Sequence, residues 1–101
     1  MYRLTGFVIQ YVMALTWSDS SNKHEIARED AIHAIAHALY VEPEFDESRV
    51  PSGVRPTLYI GPPRALGGPL LEVMAEVTPP CEIHVFHVML ARAKMLERMP
   101  Q

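Results

Sequence analysis

The spacing of hydrophobic positions changes along the chain. Between Arg28 and Tyr40, residues Ile32, Ile35, Ala36 and Leu39 recur at the i, i+3, i+4, i+7 spacing of one helical face. Alanines of high helix propensity fill this stretch, and neither Gly nor Pro interrupts it. Glu29 and Asp30 stand in its first turn, where acids favour the positive end of the helix dipole. The spacing predicts a helix over 28–40, stopped by Pro43. From Glu42 to Pro56 the periodicity dissolves. The acids Glu42, Glu44, Asp46 and Glu47 are followed by Pro51, Gly53 and Pro56, which reads as a long surface loop.

Beyond that loop the period becomes two. Thr57 to Ile60 is a short strand rich in β-formers, and Gly61 to Pro69 is a turn. From Leu70 to Val77, the residues Leu71, Val73, Ala75 and Val77 take one face, and Glu72, Met74 and Glu76 take the other. Thr78 to Cys81 connects to a strand over Ile83 to Leu90, apolar on both faces and therefore central. Ala91 to Met99 reads as a short terminal helix. Nearer the start, Leu15 to Trp17 is a short strand or lead-in. The polar run Ser18 to Asn22 opens a short helix ending near His24. The expected fold is α+β, with N-terminal helices packed on a three- to four-stranded antiparallel meander sheet and a short C-terminal helix. Residues 1–12 permit a strand. Because Met13 could serve as a start, they also read as a dispensable extension before a single domain over 13–101. Their apolar runs are too short for a membrane span.

Composition narrows the function classes. The chain has 101 residues, 49% hydrophobic and 21% charged, enough for one modest core. A net charge of −3 excludes a strongly basic coat while leaving room for a local basic patch. One cysteine, Cys81, excludes an internal disulfide framework and a multi-Cys zinc site, and a reducing, cytoplasmic location is the default.

Several residues could carry chemistry. His33 and His37 stand at i and i+4, a metal-compatible spacing, but no third ligand is near, and a solvated helix flank is the better reading. His84 and His87 are three apart on a strand, so simple alternation sends them to opposite faces. His87 lies just before the strand-to-helix transition, where an imidazole suits general acid or base work. Glu72 either faces solvent with Glu76 or is a positioned carboxylate beside residue 87 or 88, depending on register. Arg92, Lys94 and Arg98 concentrate positive charge at the end of the chain, and Arg55 and Arg64 flank the first meander strand. Together they could hold a phosphate backbone, or simply solubilise the surface.

These motifs occur in a recognisable order: Thr16-Trp17-Ser18-Asp19, Lys23-His24-Glu25-Ile26, Leu58-Tyr59-Ile60-Gly61, Gly68-Pro69-Leu70-Leu71-Glu72-Val73, and Val85-Phe86-His87-Val88-Met89 with Arg92 and Lys94. The progression, over about residues 14–98, resembles the BrnT-like toxins of bacterial toxin–antitoxin systems, especially relatives with a His-x-Met-x-x-Arg-x-Lys ending. That resemblance implies a compact α+β ribonuclease of the RelE-like superfamily that cuts RNA without a metal or other cofactor and is neutralised by a small DNA-binding antitoxin. It matches Lys94 to a family Lys and Arg92 to the Arg of the His-containing relatives; joined to the chemistry above, this gives His87, Arg92, Lys94 and Glu72 as the expected catalytic set, and Arg98, Arg55, Arg64 and Lys23 as expected RNA-binding residues. The usual family pattern has arginines directly after the third strand, where this chain has Met89 and Leu90, and Arg55 stands one residue from its family counterpart. His87 would act as acid or base with Glu72 as its partner, and Arg92 and Lys94 would hold the phosphate. For that, the strand must end by about residue 90, so that Arg92 turns back. The alternative is a non-catalytic interaction module, an immunity or regulatory protein of a phage or mobile element. Homodimerisation through a sheet edge or through residues 1–12 is a further expectation.

Overall fold

The computed structural model describes residues 15–49, 53–79 and 82–100; the readings that concern residues 1–12, Met13 and Cys81 lie outside them. Among these described residues five strands form one mixed sheet: β1 (Leu15–Trp17), β2 (Tyr40–Glu42), β3 (Thr57–Gly61), β4 (Leu71–Thr78) and β5 (Glu82–Leu90), in the order β1-β5-β4-β3-β2. β1 runs parallel to β5, and all other neighbours are antiparallel. One helix of seven or more residues, α1 (Arg28–Ala36), lies between β1 and β2, and a short α2 (Ala93–Leu96) follows β5. This corrects the expected architecture of N-terminal helices on a three- to four-stranded antiparallel meander. Both added strands sit on the edges of the meander. Three-residue segments such as Leu15–Trp17 and Tyr40–Glu42 are too short to declare a period of two.

The helix is shorter than its apolar spacing predicts. It ends at Ala36 because the edge of β3 captures the chain: the Leu39 N–H donates to the Ile60 carbonyl (2.8 Å), and Tyr40 pairs with Ile60. Its buried face also differs from the expected one. Ala31 and Ala34 are fully buried, while Ile32 and Leu39 are exposed. Gly61 supplies the reason, since a Cβ there would run into the carbonyl oxygen of Ala34. Backbone meets backbone at this point, and only small residues fit between helix and sheet.

The two faces of the sheet have separate cores. Leu71, Val73, Ala75, Val85 and Val88 pack under α1 with Ala31 and Ala34. On the other face, Leu58 and Ile60 pack with Met95 of α2, and Tyr40, Phe45, Met74 and Met99 close around them.

A β-bulge governs β5. Met74 pairs with His87 but Ala75 pairs with Val85, so Phe86 has no partner in β4. The extra residue shifts the alternation by one. His84 and His87 therefore share the face of Glu72 and Glu76, contrary to the simple-alternation reading.

Replacing Gly61 by Ala is expected to lower the unfolding free energy by about 2 kcal/mol, the scale of overpacking. Urea denaturation measures it, with Leu66→Ala at a fully exposed position as the neutral control.

Candidate functional site

Glu72 is a carboxylate on a central strand with no exposed surface. Burying it costs several kcal/mol unless donors surround it, and the chain supplies them from two directions. The His87 ring, one register step away on β5, donates its Nε2–H to Oε2 (2.8 Å). β5 then ends at Leu90, and Arg92 folds back over Glu72. Its backbone N–H reaches Oε1 (2.9 Å), Nε reaches both oxygens (3.1 Å each), and Nη2 reaches Oε2 (2.6 Å). The early strand end that the chemistry requires is therefore present. The opposite partner of Glu72 is Met89, so the His87 contact is diagonal rather than directly across.

The electrostatics follow from this geometry. Burial alone would raise the Glu72 pKa, but the Arg92 side chain, its backbone N–H and His87 outweigh burial and hold it below its ordinary 4.5. His87 is driven mainly by burial to a pKa below its ordinary 6.5, against the pull of the Glu72 carboxylate. Arg92 is held more firmly charged by its bonds to Glu72. An ionised carboxylate only accepts, so Nε2 carries the proton of the neutral His87 ring and Nδ1 presents a lone pair. No hydrogen bond to Nδ1 occurs among the described residues. The arrangement is a buried carboxylate that orients a neutral imidazole and a cation side by side, suited to moving a proton next to an anionic group.

The other expected residues do not join this cluster. Lys94 is exposed on α2 and lines a separate hollow with Phe45, Asp46 and Arg98. Arg98 makes a two-pronged pair with Glu42 (2.8 and 2.6 Å) and covers the Phe45 ring. That pair pushes the Glu42 pKa down to about 2. Arg55 donates to the carbonyls of Glu44 and Asp46, fastening the loop after β2. Arg64 bonds Asp30 and ties the β3–β4 connection to α1. Lys23 is exposed, and neither Lys23 nor Lys94 has an ion pair among the described residues. Neighbouring acids and loop carbonyls thus engage three of the four expected RNA-binding residues, Arg98, Arg55 and Arg64.

The sequence reading missed one neighbour. The His24 ring meets the His87 ring edge to face, with centroids 5.8 Å apart. The 3-10 turn Asp19–Asn22 brings it there. Ser18 N–H donates to the Val85 carbonyl (2.9 Å), and Ser20 Oγ donates to the Phe86 carbonyl (2.7 Å), the residue that the bulge leaves outside the β4 ladder. Serines at 18, 20 and 21 were the available signal, but they read equally well as helix caps.

Two outcomes follow for stability. Arg92→Ala leaves the buried Glu72 with only the His87 ring and the backbone N–H of residue 92, and is expected to destabilise by about 2 kcal/mol. That is less than the roughly 3–5 kcal/mol of a fully enclosed pair, since water screens an Arg92 side chain that is 38% exposed. The two depressed pKa values act in the same direction on pH dependence. The unfolded chain binds protons more readily at both groups, so stability is complete above about pH 6.5 and falls as pH drops through the folded pKa of His87, then of Glu72. Urea midpoints at about pH 7.5, 5.5 and 4 should decrease in that order, and His87→Gln should flatten the first step.

Compared with protein-family models, curated proteins and solved structures, the chain matches none.

Proposed function

We propose that this protein is a small endoribonuclease that cuts RNA by metal-independent transesterification at the Glu72–His87–Arg92 cluster. The observation that carries the reading is the buried Glu72 carboxylate bonded at once to the His87 ring and to Arg92. His87 Nδ1 accepts the proton of a ribose 2′-hydroxyl, and the 2′-oxygen attacks phosphorus. The bond to the 5′-oxygen breaks, leaving a 2′,3′-cyclic phosphate on one fragment, and the departing 5′-oxygen takes a proton from a separate donor to become the 5′-hydroxyl of the other. Guanidinium hydrogens of Arg92 not used by Glu72 face the phosphate and offset its growing charge. Glu72 fixes the imidazole tautomer and stabilises the imidazolium that forms. Lys94 and Lys23 remain as cations for the flanking backbone.

The motif order shared with BrnT-like toxins points to the same chemistry, and with it to a cytoplasmic toxin that inhibits translation and is neutralised by a cognate antitoxin protein. Among the described residues no helix is long and apolar enough to cross a membrane. The engagement of Arg98, Arg55 and Arg64 by acids and carbonyls favours a second reading, a non-catalytic interaction module built on the same fold.

The test is cleavage of single-stranded RNA by purified protein in the presence of a chelator. The expected products end in 2′,3′-cyclic phosphate, and His87→Ala, checked for folding by circular dichroism, should reduce the rate at least about 100-fold. Intact RNA with the wild-type protein, together with unimpaired growth on expression, would overturn the ribonuclease reading in favour of the interaction module.

A further inference from the structure

We propose that His24 is the second proton-transfer group of this site, the acid that protonates the departing 5′-oxygen while His87 takes the proton from the 2′-hydroxyl. The inference rests on the ribonuclease reading and completes it. Neither Glu72 nor Arg92 can supply the leaving-group proton. Glu72 is an ionised carboxylate whose two oxygens already accept bonds, and an arginine does not give up its proton in water. A single imidazole serves one oxygen at a time. In-line displacement puts the entering and leaving oxygens on opposite sides of phosphorus, so a second donor must approach from another direction.

His24 meets that requirement. Its ring stands 5.8 Å from the ring of His87 at an interplanar angle of 74°, an edge-to-face contact, so the nitrogens of the two neighbouring imidazoles lie in different planes. His24 is exposed, and rotation about its side-chain bonds admits a phosphate beside His87. Its backbone is held, in contrast, by the bonds of Ser18 and Ser20 to the bulge region of β5 and by that of the buried Ser21 hydroxyl to the Ser18 carbonyl (2.6 Å). The next residue, Glu25, lies in the left-handed region at φ 59°, an unfavourable conformation for a non-glycine residue. Held strain of this kind accompanies functional positioning, here directly after the histidine. Beside the ring, His24, Ile26, Met89 and Leu90 line an apolar hollow that can take the face of a base or ribose. Lys23, adjacent in sequence, carries a charge with no ion pair among the described residues. The substrate class is a flexible single-stranded phosphodiester that bears a 2′-hydroxyl.

Leaving-group dependence tests the role. A uridine–adenosine dinucleotide needs a proton on its 5′-oxygen, whereas uridine 3′-(4-nitrophenyl phosphate) expels a stable phenolate without one. His24→Ala is expected to lose about 100-fold or more on the dinucleotide and to stay within about threefold of wild type on the nitrophenyl ester. His87→Ala should lose activity on both. Equal losses by His24→Ala on the two substrates would make His24 structural, and no loss on either would give it no role; each result overturns the assignment while leaving His87 in place. Wild-type protein that cleaves neither substrate overturns the ribonuclease reading itself, and the His24 assignment with it.

Discussion

A carboxylate without exposed surface dictates much of what surrounds it. Glu72 sits on a central strand between the sheet and the segment leading into α2, and its charge is compensated only if β5 stops at Leu90 and Arg92 turns back. The ending of that strand, the direction of the C-terminal segment and the tautomer of His87 are thus consequences of one buried charge. Met95 of α2 then lands on Leu58 and Ile60, so the apolar core of that face is laid down by the same turn. A hydrocarbon side chain of equal volume at position 72 would cover the core as well, and it would leave the direction of Arg92 and the orientation of the imidazole unspecified.

The bulge at Phe86 is the second constraint, and it acts on both sides of β5. In the ladder with β4 it rephases the strand, bringing His87 onto the face of Glu72. Toward β1 it offers a carbonyl that Ser20 takes, which seats the turn carrying His24. Arg49 covers the Phe86 ring (4.0 Å) and bonds Glu76 at the same time, so the irregular residue is held from the side-chain direction too. One inserted residue therefore gathers two histidines that lie far apart in sequence.

How much of this was legible in the sequence depended on the range of the interaction. The alternation in Leu71–Thr78 and the apolar faces of Glu82–Leu90 marked β4 and β5, because period-two patterning records burial directly. The partnership of Glu72 with His87 and the return of Arg92 could be framed as a register question, since all three lie within about one hairpin of each other. The helix face could not be read correctly. Ile32 and Leu39 outscore Ala31 and Ala34 on any hydrophobic scale, yet the smaller pair is buried because Gly61 lets the backbones touch. The side of the strand taken by His84 and the pairing of β1 were hidden for a related reason. A bulge and a parallel edge strand are decided by distant partners, and the sequence carries no local mark of either.

The parallel pairing of β1 with β5 also sets the order in which the molecule can be assembled. Thr16 and His84, joined by a side-chain hydrogen bond across that ladder, are 68 residues apart in the chain. β3, β4 and β5 are linked by short connections and can zip together as neighbours, whereas β1 pays the entropy of a loop nearly as long as the domain. On a ribosome, where the polypeptide emerges from its N-terminus, β1 waits without a partner until β5 has cleared the exit tunnel. The two imidazoles meet only at that late docking step, so a nascent copy with β5 still inside the tunnel holds the residues of the site without their arrangement.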